Sequence, residues 1–141
     1  MTSPNLDNLV KIKKLKAEPP DQKEFNGLVR SAQVRLKDAQ IPSLSIEGRF
    51  DLVYNAAHAL ALAALRWHGY RSDNRYLVFQ CLPHTLGLDN VVMQVLDKCH
   101  HARNRLEYQG EFDITESMLD ALLDAARELH VKVQALGKVN K

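Results

Sequence analysis

Cysteine is scarce: the chain has only Cys81 and Cys99, and neither lies in a CxxC pair. That excludes a disulfide framework, and the expectation is two reduced thiols, half-buried on helices. Glycines number six and prolines five. None of them builds a glycine-rich phosphate loop; a G-x-S-x-G turn and zinc-finger spacing are also missing. The most apolar stretch, Ala56 to Leu65, is about half the length that a bilayer demands, so no membrane association is expected. No apolar h-region opens the sequence, so no secretory signal is expected and the cytoplasm is the expected address. An excess of one charge is lacking too: 19 Lys and Arg face 17 Asp and Glu, a net +2. Any case for nucleic acid therefore rests on where the charges sit. Asp97 has helical metal-pair spacing to His100 or His101, but with no second pair, neither a metal nor another cofactor is expected.

What is present is enough for one domain. The chain has 141 residues, 45% of them apolar, which suffices to bury a core without staples. Residues 1–20 read as a basic, flexible leader: Lys11, Lys13, Lys14 and Lys16 alternate with Val10, Ile12 and Leu15. Pro19-Pro20 separates it from a bundle over 21–137, with 138–141 a tail. The leader is either a solvated tail or an arm for phosphates or a partner subunit.

The bundle reads as helices throughout. Phe25, Leu28, Val29, Ala32 and Leu36 share one face of a helix over about 21–39. A second helix over about 45–68 is apolar nearly all round between Ala56 and Leu65, which places it at the bundle centre, with Gly69 as its left-handed stop. A short helix over about 75–81 meets Pro83; Asp89 N-caps a helix over about 90–108 that Gly110 stops. Asp113 and Glu116 give a capping-box pattern for the last helix, which ends at Gly137. The expected fold is an all-α antiparallel bundle of four to five helices.

The informative run is His100-His101-Ala102-Arg103-Asn104-Arg105-Leu106-Glu107-Tyr108. Helical spacing puts His100, Arg103, Asn104, Glu107 and Tyr108 on one broad face. A guanidinium, an amide and a phenol together suit a phosphate or a base edge. The bland alternative is an i,i+4 salt bridge between Arg103 and Glu107, with polar surface histidines beside it.

These residues resemble the HEPN family of bacterial helical bundles. Arg103-Asn104 matches the arginine–polar pair of its R-x-x-x-x-H motif, with Tyr108 standing where the histidine would be. Arg103, Glu107 and Tyr108 are also similar to the R-x-x-x-[DE]-Y ending of some branches. Tyr54 to Leu60, running on to Gly69-Tyr70-Arg71, resembles the family's alanine-rich helix and its exit. The resemblance covers about residues 22 to 136 and implies a HEPN-like homodimer whose motifs meet at a cleft. It also implies a role in toxin–antitoxin or defence systems, RNA or nucleotide as ligand, and an antitoxin or nucleotidyltransferase as partner.

Metal-independent RNA cleavage is the chemistry it implies, with Arg103, Asn104 and Tyr108 at the motif positions; by helical spacing His100, or else His101, is the candidate to carry the proton in place of the motif histidine. Arginine would stabilise the phosphorane and a histidine would carry protons. Tyrosine, with a solution pKa of about 10, is a poor base at neutral pH, so binding is a firmer expectation than cleavage. The alternative is a non-catalytic dimeric module that docks a protein partner.

Arg66, Arg71 and Arg75 gather around a loop with Trp67, Tyr70 and Tyr76. With Arg105, they are the candidates for contacts to nucleic acid, either as a stacking and phosphate surface or as a solvated loop. His58 reads as a hydrogen-bonded core histidine. Glu111, Asp113, Glu116, Asp120, Asp124 and Glu128 make the last helix and its approach acidic, a face for a basic partner rather than RNA.

Overall fold

The structure, a computed structural model, describes residues 4–139. Its elements are α1 (Pro4–Lys11), β1 (Lys16–Ala17), α2 (Gln22–Asp38), α3 (Ile46–Trp67), β2 (Tyr70–Arg71), α4 (Arg75–Gln80), α5 (Leu82–Thr85), α6 (Asn90–Gln109) and α7 (Glu116–Gln134). The protein is an all-α helical bundle with one two-stranded ribbon.

Cross-helix contacts give the directions. The Arg49 side chain near the start of α3 donates to the Ala39 carbonyl at the end of α2, and Arg66 near the end of α3 pairs with Glu24 near the start of α2. These two are antiparallel. Trp67 at the end of α3 donates to the Gly137 carbonyl beyond α7, so α3 and α7 run the same way. Arg105 near the end of α6 pairs with Asp113 just before α7, as expected of an antiparallel turn.

Beyond its first turns, helix α3 takes the central place because it has no polar face to give to water. Phe50, Val53, Tyr54, Ala56, Ala57, Leu60, Ala61, Ala63, Ala64 and Leu65 are all buried, and the alanines let neighbouring helices approach closely. Its end is set by Gly69, whose φ of 91° is a conformation that L side chains rarely adopt. Asp21, Ser45, Asn74 and Asp89 each cap a helix by accepting a backbone N–H. Gly110, in the left-handed region, stops α6.

Four expectations need correction. The N-cap of α7 is Thr115, which accepts from the Met118 N–H. Asp113 is instead two residues upstream, held by Arg105 at 2.7 Å, so the capping-box spacing was a coincidence. Pro83 does not simply end the short helix: it opens a further single turn, α5, at a position where its missing N–H costs nothing. Cys81 and Cys99 are fully buried rather than half-buried. Burial pushes their thiols up to about 11 and about 12.

The fourth concerns the leader. Residues 4–20 pack on the bundle as part of the same body. Leu6 is 0% and Leu15 4% exposed, both in the core. Lys16 and Ala17 pair antiparallel with Arg71 and Tyr70, and the Tyr70 hydroxyl donates to Asp7. The cause is apolar: Leu6 and Leu15 have more to gain from burial than the lysines between them lose.

Candidate functional site

Four of the predicted arginines fall into two groups along α3, one at its C-terminal end and one over Tyr54. At the C-terminal end, Arg66 is 1% exposed. Its Nε donates to Glu24 at 2.6 Å, Nη1 to the Glu18 carbonyl at 2.9 Å, and Nη2 to the Pro19 carbonyl at 2.7 Å. Arg71 donates to Glu18 at 2.9 Å and also to Glu24. The Arg71 hydrogen bond, with both arginine charges, holds the Glu18 carboxyl below its usual range. Burial opposes the same effect at Glu24, but the bonds from Arg71 and Arg66 outweigh it. Both arginines therefore staple residues 16–20 and β2 to the bundle. Arg66 is not a surface for nucleic acid, and Tyr70, 2% exposed, is no stacking platform.

Elsewhere on α3 a different set converges. Tyr54 of α3 is the hub, sitting beneath two guanidinium groups: Arg103 of α6 lies 5.0 Å and Arg75 of α4 5.7 Å from its ring centre. The Tyr54 hydroxyl is 2.9 Å from Nδ1 of His100, whose Nε2 faces the Asn104 amide at 3.1 Å. Arg75 also donates to the Asn55 side-chain amide oxygen, Oδ1, at 2.8 Å. Tyr76 packs its ring against His100 and His101, with centres 5.1 Å and 5.7 Å apart. The expected His100–Arg103–Asn104 grouping is thus real, and Arg75 joins it.

Tyr108 and Arg105 lie outside this cluster. Tyr108 is 77% exposed, and Arg105 is taken by Asp113 at 2.7 Å. Arg103 does pair with Glu107 at 3.0 Å, the i,i+4 bridge that its spacing allows. Exposure limits what that bridge adds, since Glu107 is half in water. Asp97 is engaged by Tyr76, whose phenol it holds above its usual range through a hydrogen bond, and lies 3.4 Å from His101. Among the described residues no group of three or more His, Cys, Asp or Glu converges.

His58, one turn along α3 from Tyr54, is the residue that the sequence reading undervalued. Its Nε2 is buried with no hydrogen-bond partner, contrary to the expectation of a satisfied core histidine. Burial, then the charges of Arg75 and Arg103, push its pKa down to about 4. Burial, then His101 and Arg103, lower His100 as well. Burial raises the Tyr54 phenol, although Arg103 and Arg75 pull it the other way. Every one of these imidazoles is held neutral beside fixed positive charge. Burial is the larger cause at both histidines, and the arginine charges add to it. The signal in the sequence was the i,i+4 spacing of Tyr54 and His58 on an otherwise apolar helix.

The hollow beside Arg103, about 310 Å³, runs between α6 and the start of α3, and Glu47 and Asp51 line it as well. An anion would meet repulsion there. Among the described residues no helix is long and apolar enough to cross a membrane. Neither the family models nor the curated proteins compared with this chain gave a match.

Proposed function

We propose that this is a HEPN-type protein of a bacterial toxin–antitoxin or defence system, and that it binds RNA or a nucleotide phosphate at the Tyr54–Arg75–His100–Arg103 cluster. The observation that carries the reading is the convergence of Arg75 and Arg103 on one buried tyrosine, beside a histidine nitrogen that has no partner. Of the two guanidiniums only Arg103 has a carboxylate partner among the described residues, the half-exposed Glu107, and a phosphate matches the pair. The cluster also offers proton carriers for metal-independent cleavage. His58 and His100 are the imidazoles beside the two arginines, whereas Tyr108 lies apart from them.

A second reading, a non-catalytic dimeric module that docks a nucleotidyltransferase or antitoxin, draws on Tyr108. A tyrosine 77% exposed near the end of α6, with Phe112 51% exposed beyond it, is a surface for a second copy or a protein partner.

The test is incubation of the purified protein with total RNA and tRNA in EDTA, beside Arg103→Ala and Arg75→Ala. Cleavage by the wild type and none by the variants would establish a metal-independent ribonuclease. Retention of RNA without cleavage, lost in both variants, would make it a binding module. Neither retention nor cleavage by the folded protein would sink the RNA reading and leave the docking module.

A further inference from the structure

We propose that the hollow between the Lys13–Lys16 turn and the 72–74 loop is a second phosphate subsite, and that the ligand is a single RNA strand running from Arg103 and Arg75 across Tyr76 to Lys13 and Lys14. This rests on the RNA reading above and extends it from one phosphate to a path for several nucleotides.

The turn itself is the first observation. The Lys14 N–H bonds to the Leu9 carbonyl and the Lys13 N–H to the Val10 carbonyl, each at 2.9 Å. This is the paired closure that ends a helix on a left-handed residue, normally glycine. Lysine occupies that place, with φ 63°, and among the described residues no other non-glycine has a positive φ. A strained backbone at such a position points to a role for the side chain. It places Lys13 and Lys14 together at the edge of a concave surface.

The second observation is the charge and shape of that surface. Two adjoining hollows of about 300 and 560 Å³ share Lys13, Lys14, Ser72 and Asp73. Lys16 lines the smaller one. Among the described residues none of the three lysines is in an ion pair, and Asp73 is the carboxylate among the residues lining these hollows; Arg71, also in the wall, is committed to Glu18 and Glu24. The excess is positive.

Continuity is the third. Tyr76 lines the larger hollow and packs on His100 and His101 at the same time. It is therefore the shared wall between the lysine hollow and the arginine cluster. A half-buried aromatic ring between two such sites is what a base of a single strand stacks on, and its hydroxyl, tied to Asp97, leaves the ring face as the contact. The hollow that Arg103 itself lines carries Glu47 and Asp51. A polyanion leaving the cluster is therefore directed toward the lysines.

The experiment is fluorescence anisotropy with labelled UpU and with an oligouridylate of roughly twelve nucleotides, long enough to cover such a path. The proteins are wild type, Arg103→Ala, Lys13→Gly, Lys14→Gln and the double lysine variant. Arg103→Ala should weaken both probes. The lysine variants should leave UpU unchanged and weaken the longer strand, by roughly tenfold for the pair, with the salt slope falling by about 0.7 per lysine. Lys13→Gly should at the same time raise the melting temperature by about 3 °C, because glycine relieves the left-handed turn. Tighter folding with weaker binding is a combination that a purely structural lysine would not give. If the lysine variants bind the long strand like wild type while Arg103→Ala does not, the subsite falls and the arginine cluster stands. If the wild type binds neither probe, the RNA reading itself is overturned, and this path with it.

Discussion

Nδ1 of His100 stands 2.9 Å from the Tyr54 hydroxyl, and that contact ties α6 to α3 at the level of the two arginines. With the Asn104 amide donating to Nε2, the imidazole proton sits on Nδ1 and is given to Tyr54. Tyr54→Phe leaves that buried N–H without an acceptor and should cost about 1–3 kcal/mol in urea denaturation. A loss within experimental error of zero would mean that the contact is dispensable and that the arginines are positioned by other groups.

Acid should weaken the fold before the carboxylates titrate. His58 has a pKa of about 4 in the folded chain, against about 6.5 when unfolded. Between those values the unfolded chain binds more protons, so stability is full above about pH 6.5 and declines as pH falls toward 4. His100 and His68 are lowered too and act in the same direction. For His58 the loss amounts to at most about 3 kcal/mol. His58→Gln should flatten the stability–pH curve in this window, as followed by thermal melts from pH 7 to pH 4. An unchanged slope would show that His58 is solvated.

Much of the fold was legible because its signals are local. The all-round apolar run from Ala56 to Leu65 marks a central helix, and Asp89 and Gly110 fix the bounds of α6. What escaped notice depended on distant partners. Nothing near Arg66 in sequence says that Glu18, Pro19 and Glu24 surround it, since all lie more than forty residues away. The same is true of Leu6 and Leu15, whose lysine neighbours make a solvated tail the natural expectation. At the candidate site, the spacing on α6 joined His100, Arg103 and Asn104, but helical periodicity alone could not eject Tyr108 or recruit Arg75 from another helix.

Arg66 and Arg75 should behave oppositely when replaced. Arg66→Ala removes a buried guanidinium, leaves Glu24 to Arg71 alone and strands the carbonyls of Glu18 and Pro19, at a cost of about 3 kcal/mol. Arg66→Lys should also destabilise, since an ammonium cannot reproduce the fork, while RNA retention by the folded fraction stays intact. Arg75→Lys should leave the melting curve nearly unchanged and weaken retention. Equal losses of retention in the two lysine variants, measured on folded protein, would dissolve the division between staple and site.

Leu6 decides whether the first twenty residues belong to the domain. Its side chain is fully buried, and the turn that presents Lys13 and Lys14 hangs between it and Leu15. Leu6→Ala should cost about 2–5 kcal/mol, as for other buried leucines. A tail in solvent would register no more than about 0.5 kcal/mol for the same change. Detachment has a local signature as well: trypsin should cut faster after Lys13, Lys14 and Lys16 in Leu6→Ala than in wild type, under conditions where α3 is still protected. Cutting at equal rates in both proteins, together with an unchanged melting curve, would return these residues to the status of a flexible leader and remove the platform on which the lysine subsite is built.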